Sequence, residues 1–242
     1  MKLRQTVNLL LNRIGYDLRA WPVPRPRFMM SQGLARMKAL GVEVGTILDL
    51  GASNGQWAKL GLKQFPQAGA LLFEPLAERS EELRAFCAER PGVDFVAAAA
   101  GAEPGEANFF VAEDLDGSGL AQKAGPNTRA VPITTIDHEV RTRNLPGPYL
   151  VKFDTHGFEL PILAGATETL KRTSLIVMEV YNFQLNPQAL RFHEMCAHLE
   201  TLGFRCADLA DPLGRERDGL LWQIDMFFLP KGAAAFTYPQ YA

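Results

Sequence analysis

From position 46 onward, short apolar runs alternate with amphipathic stretches of helical length. Thr46–Leu50 reads as a buried strand, Gln56–Gln64 as a helix, Ala70–Glu74 as a second strand and Leu76–Arg90 as a helix. Val93–Ala98 is predicted as a third strand. A less regular stretch follows, with short strands predicted at Ala107–Val111 and Ala130–Thr134. Tyr149–Asp154 reads as a strand, Leu160–Arg172 as a helix, Leu175–Val180 as a strand and Pro187–Leu202 as a helix. Phe204–Asp208 and Gln223–Leu229 close the pattern as strands. Strands separated by helix-length segments require right-handed crossovers and a mainly parallel sheet covered on both faces. The prediction is one doubly wound α/β domain over residues 41–242.

Residues 1–40 read differently, as a helical extension and linker. Leu3, Val7, Leu10, Leu11, Ile14 and Leu18 recur at helical spacing among Lys2, Arg4, Arg13 and Arg19. Such a helix packs on the domain or on a partner subunit, as in a homodimer. The other reading is weak contact with a membrane surface. Trp21–Arg27 holds three prolines and is expected to be extended. A short helix is predicted near Gln32–Leu40.

Composition narrows the class. With 47% hydrophobic and 21% charged residues, the chain has the balance of a packed globular protein. A formal net charge of -2 gives no reason to expect a nucleic-acid partner. Cys87, Cys196 and Cys206 form no CxxC pair, so a reducing, cytoplasmic setting is expected. No apolar run approaches membrane-spanning length.

In a doubly wound sheet the ligand lies beyond the carboxyl ends of the strands, where strand order reverses. Four carboxylates fall at or near such ends: Asp49, Glu74, Asp154 and Glu179. Burying one carboxylate is unfavourable without a partner, and four along one rim point to a shared polar ligand. The first strand runs into Asp49-Leu50-Gly51-Ala52-Ser53-Asn54-Gly55, a glycine turn opening a helix. A dinucleotide fingerprint would carry glycine where Ser53 stands. Asp49 also suits a cationic ligand better than a pyrophosphate. Glu74 lies at the next strand end, the usual place for an acid that binds ribose hydroxyls.

Four segments together carry a resemblance: D-L-G-A-S-N-G at Asp49–Gly55, F-E-P at Phe73–Pro75, V-K-F-D-T-H-G-F-E-L-P-I-L-A-G-A at Val151–Ala166, and M-E-V at Met178–Val180. Over roughly Thr46 to Lys231 the chain resembles the FkbM-type family of S-adenosylmethionine-dependent methyltransferases. The resemblance implies a class I, Rossmann-like fold of seven strands with the last one antiparallel, and S-adenosylmethionine as cofactor. It implies that Asp49, Gly51, Ala52, Asn54 and Gly55 line the methionine and ribose portion, and that Glu74 holds the ribose hydroxyls. Ala98 and Ala99, at the end of the third strand, fall near the adenine. Ser118 matches a family serine that precedes a leucine.

For methyl transfer to a hydroxyl, a positioned base takes the proton as the oxygen attacks. Asp154 and His156 are the candidates; the family often has glutamine at the position of His156. Glu179, in an apolar strand, is expected to bind the acceptor, with Tyr181 and Asn182 beside it. Glu159 either favours the start of its helix or joins the chemistry. Asp154, Glu179 and Asp137 offer oxygen ligands, but no local spacing demands an ion. His193, Cys196 and His198 do not share one helix face, and no metal is expected. The expected acceptor, a small molecule or the hydroxyl of a glycan, glycolipid or sugar-bearing metabolite, follows from the resemblance. Two other readings are a non-catalytic binding module on the same fold and a nicotinamide-dependent oxidoreductase, the latter disfavoured by Ser53.

Overall fold

The structure is a computed structural model describing residues 27–121 and 123–240. The amphipathic segment and most of the proline-rich linker expected within residues 1–26 lie outside the described residues. The expected Gln32–Leu40 helix is α1 (Met30–Ala39). It buries Leu34 and Met37 in the core shared with the sheet, so residues 30–39, placed above in the extension, pack with the main domain.

Next come β1 (Thr46–Leu50), α2 (Gln56–Gln64), β2 (Gly69–Phe73), α3 (Ser80–Glu89) and β3 (Val93–Val96). β4 (Ala99–Ala100), β5 (Gly105–Phe110), β6 (Gly119–Leu120) and β7 (Thr128–Thr134) follow. The chain continues through α4 (Ile136–Thr142), β8 (Tyr149–Phe153), α5 (Glu159–Ala164), α6 (Thr167–Leu170), β9 (Thr173–Tyr181), α7 (Phe192–Thr201), β10 (Phe204–Gly214) and β11 (Leu221–Pro230).

The main sheet has seven strands in the order β10-β11-β9-β8-β1-β2-β3. The last strand, β11, enters antiparallel between β9 and β10, and the pairs from β9 to β3 are parallel. Strand order reverses between β1 and β8, which places the ligand crevice at their carboxyl ends. Alternation along each strand builds two cores. Leu34, Leu62 and Leu83 of α1, α2 and α3 cover Ile47, Leu150 and Val177 on one face. Ile136, Ile162, Leu170 and Leu199 of α4, α5, α6 and α7 cover Leu48, Val151 and Ile176 on the other. No helix among the described residues is long and apolar enough to cross a membrane.

Several elements differ from expectation. The third strand ends at Val96, and Ala99–Ala100 belong to a separate four-stranded sheet, β4-β7-β5-β6. The predicted Leu160–Arg172 helix is two short helices. They part at Gly165, where a Cβ would stand 2.0 Å from the Gly101 carbonyl oxygen, so the backbones touch. The Pro187–Leu202 helix starts only at Phe192, because the Asn186 side chain accepts the Gln188 and Ala189 N–H groups in a turn. α4 has no counterpart among the predicted elements. Thr135 caps it by accepting the His138 N–H.

Candidate active site

The glycine turn is shaped by what surrounds it. Gly51 has φ +75, and a Cβ there would sit 2.0 Å from the Asp154 carbonyl oxygen. Only glycine lets the ends of β1 and β8 close this tightly. Ser53 is also left-handed, at φ 47, and its N–H donates to Glu74 Oε2 at 2.8 Å. Glu74 Oε1 accepts the Leu76 N–H at 2.9 Å. Glu74 therefore clasps the loops after β1 and β2 together while keeping lone pairs free. Burial pushes its carboxyl above the usual range, against the pull of those N–H groups.

A hollow opens above the β1, β2 and β8 ends. Gly51, Glu74 and Asp154 share its lining with Ala99, Ser118 and His156. The small sheet and the turn between β5 and β6 also line it, through Phe109, Leu115 and Leu120. Ser118 holds that turn by accepting the Ala112 N–H at 3.0 Å. The other residues expected around the cofactor stand behind the surface. Ala52, Gly55 and Asn54 shape the turn, Asn54 by accepting the Gln56 N–H at 3.3 Å. Ala98 is buried on the crossing from β3 to β4 and does not line the hollow.

Asp49 lies beneath the turn, 1% exposed, and neither carboxylate oxygen has a hydrogen-bond partner among the described residues. Burial raises its pKa to about 7, with Lys152 opposing the rise. Lys152 is the in-register neighbour of Asp49 on β8 and is itself 2% exposed. Its Nζ donates to the Phe153 carbonyl at 2.9 Å and lies 3.3 Å from Asp225 and 3.5 Å from Asp154. Burial opposes its charge, yet Asp154, Asp225 and Glu179 together hold it protonated. Neither Lys152 nor Asp225 was singled out from sequence. The available signal was a lone charge inside an apolar strand run in each case.

His156 stands at φ 50 on the loop after β8. Its Nδ1 is 2.7 Å from the Tyr181 hydroxyl and 3.5 Å from Glu179 Oε1; its Nε2 is 3.0 Å from the Asp116 carbonyl oxygen. The Tyr181 hydroxyl donates in turn to Glu179 Oε1, and Gln223 Nε2 donates to Glu179 Oε2 at 2.6 Å. Burial alone would lower the histidine pKa, but the bond with Glu179 and the charges of Asp154 and Glu179 outweigh it and raise it to about 9. At neutral pH His156 is a cation with both N–H groups engaged, which leaves it poorly suited to act as a base. Glu179 is buried in this network and does not line the hollow.

One side-chain atom each from Asp154, His156 and Glu179 lies within 4.8 Å of the others. Asp137 is elsewhere, accepting the Glu168 and Thr169 N–H groups at the start of α6. Glu159 Oε1 accepts the Gly157 N–H at 2.9 Å and the Thr155 hydroxyl at 3.1 Å, which ties the loop to the start of α5.

The family profile described as "Methyltransferase FkbM domain" matches residues 49–206. No protein of curated function matches the sequence. Among solved structures, the chain is similar to a methyltransferase FkbM from Methylobacillus flagellatus KT, with 13% identity and a TM-score of 0.49. That match covers 75% of this chain and 43% of the other, so the chain spans less than half the length of that protein. It is also similar to the 1,6-didemethyltoxoflavin-N1-methyltransferase of Burkholderia thailandensis, whose structure holds 1,6-didemethyltoxoflavin and S-adenosylhomocysteine. There the identity is 12%, the coverage 83% and 77%, and the TM-score 0.44. A third similar structure is a putative RNA methyltransferase from Pyrococcus horikoshii, with 12% identity, coverage of 95% and 99% and a TM-score of 0.45.

Proposed function

Because this chain belongs to the FkbM methyltransferase family, with S-adenosylmethionine as its cofactor, we propose that it methylates a hydroxyl oxygen of a glycan, glycolipid or sugar-bearing metabolite. The observation that carries the reading is the shared hollow, where Gly51, Glu74 and Asp154 converge from three adjacent strand ends. Asp49 fits the cofactor as well: a buried carboxylate beneath a glycine turn, its two oxygens unpartnered among the described residues, suits a cationic amino acid group. Glu74 would hold the ribose hydroxyls, and Ala99 would pack near the adenine.

When bound, the cofactor supplies an electrophilic methyl group on a sulfonium. The protein's share is alignment, exclusion of water and proton transfer. Asp154 faces the hollow and is the base in this reading. The Lys152 ammonium lies 3.5 Å from it and helps fix its position at the end of β8. His156 and Glu179 act behind it, holding the loop after β8 in place. A carboxylate base beside the cofactor supports an oxygen acceptor, since a neutral amine attacks without prior loss of a proton. The sugar-like acceptor rests on the family resemblance.

Calorimetry with S-adenosylhomocysteine tests the cofactor. A folded sample that fails to bind it would overturn the reading. Transfer of labelled methyl from S-adenosylmethionine into fractionated cell extract tests the acceptor. Label is expected in the glycan or glycolipid fraction, and label confined to protein or RNA would reject the sugar class.

A further inference from the structure

Asp116 touches both ends of the hollow. It lies in a compact turn before β6, where the Leu115 N–H donates to Ala112, the Gly117 N–H to the Asp114 side chain and the Ser118 N–H to Leu115. A turn tied this closely to itself moves as a unit. Asp116 Oδ1 accepts from the Ser53 hydroxyl at 2.9 Å and from Arg79 Nη2 at 2.7 Å. Both partners belong to the side where the glycine turn and Glu74 lie. The Asp116 main-chain carbonyl accepts from His156 Nε2 at 3.0 Å, on the side of Asp154 and Glu179. One residue thus grips the glycine turn with its side chain and the loop after β8 with its backbone.

We propose that Asp116 is a positioning residue that couples the glycine turn to His156, so that closure of the 111–120 strap over the cofactor also fixes the loop bearing Asp154. The proposal rests on reading the hollow as the cofactor site. The Asp116 side chain is 70% exposed, and exposed ion pairs are weak, so the strap can release and re-form as the cofactor exchanges. Nothing in the sequence marks the role, because Asp116 sits 63 positions from Ser53 and 40 from His156.

The test needs no acceptor. The chain has four histidines, so ¹⁵N-histidine labelling gives few signals, and His156→Gln assigns the one that matters. The wild-type protein is expected to show a protected His156 Nε2–H. Asp116→Ala should lose it, and Ser53→Ala or Arg79→Met should weaken it although neither residue touches the ring. S-adenosylhomocysteine affinity should fall about two- to fivefold in Asp116→Ala. A protected Nε2–H unchanged in all three variants, or absent from the wild type, overturns the coupling. Failure of the wild type to bind S-adenosylhomocysteine strikes the cofactor reading, while the imidazole signal still decides the coupling of the turn to His156.

Discussion

Lys152 of β8 stands in register beside Asp49 of β1, and both are sealed from solvent. Among the described residues the lysine is the one buried cation beside Asp49, Asp154 and Asp225. Removing one partner of a buried ionic group leaves the others uncompensated, at roughly 3–5 kcal/mol. Lys152→Met is therefore expected to lower the unfolding free energy by about that amount, read by urea denaturation at pH 8. A variant as stable as the wild type would mean the three carboxylates do not depend on this charge.

Asp154 and Glu74 should separate in kinetics. Asp154→Asn keeps the shape and removes the carboxylate proposed as base, so turnover should fall about 10²–10⁴-fold with S-adenosylhomocysteine affinity nearly unchanged. Glu74→Ala removes a buried acceptor that also anchors Ser53 and Leu76. Its affinity should fall about ten- to hundredfold. Calorimetry and single-turnover assays distinguish the two, and equal effects on binding from both variants would reject the assigned roles.

The pKa of Asp49, raised to about 7, predicts a pH dependence of binding. Without ligand the carboxyl is largely protonated at pH 6 and largely ionised at pH 8. A cationic ligand favours the ionised form, so binding near pH 6 should release up to one proton and be weaker than at pH 8. Calorimetry in two buffers of different ionisation enthalpy counts the proton. Asp49→Asn should abolish both the release and the slope; a slope that survives the substitution places the titrating group elsewhere.

His156 gives a stability window of opposite sign. Its folded pKa of about 9 exceeds the ordinary histidine value, so its contribution is complete below pH about 6.5 and is lost as pH rises through 9. Unfolding free energy should therefore decline between pH 7 and 9.5 in the wild type and decline less in His156→Gln. Parallel profiles would show that the ring gains nothing from Glu179 and Asp154.

Much of this architecture was legible in the residue pattern. Every main-sheet strand fell on a predicted run, because buried parallel strands read as unbroken apolar segments. The rim carboxylates were legible because charge at the end of such a run has little other reason to be there. The small sheet was not recognised as a separate unit, since β4 and β6 are two residues each and carry no periodicity. The helix break at Gly165 depends on Gly101, far away in sequence. Lys152 and Asp225 were visible as oddities, but only the cross-strand register assigns them partners. The resemblance puts Ala98 near the adenine as the end of the third strand; the chain instead leaves the main sheet after Val96.

Two glycines with similar backbones separate conformation from contact. Gly41 has φ +82 and open space where a Cβ would be, whereas Gly51 has φ +75 and the Asp154 carbonyl oxygen 2.0 Å from that point. Alanine at position 41 meets only the left-handed penalty, about 1–2 kcal/mol. Alanine at 51 meets the same penalty and must also push β8 from β1 at the point where the turn faces Glu74. Gly51→Ala is therefore expected to lose clearly more stability than Gly41→Ala in chemical denaturation and to bind S-adenosylhomocysteine more weakly, while Gly41→Ala binds as the wild type does. Equal losses in the two variants would mean that the tight junction between Gly51 and Asp154 relaxes freely and does not define the site.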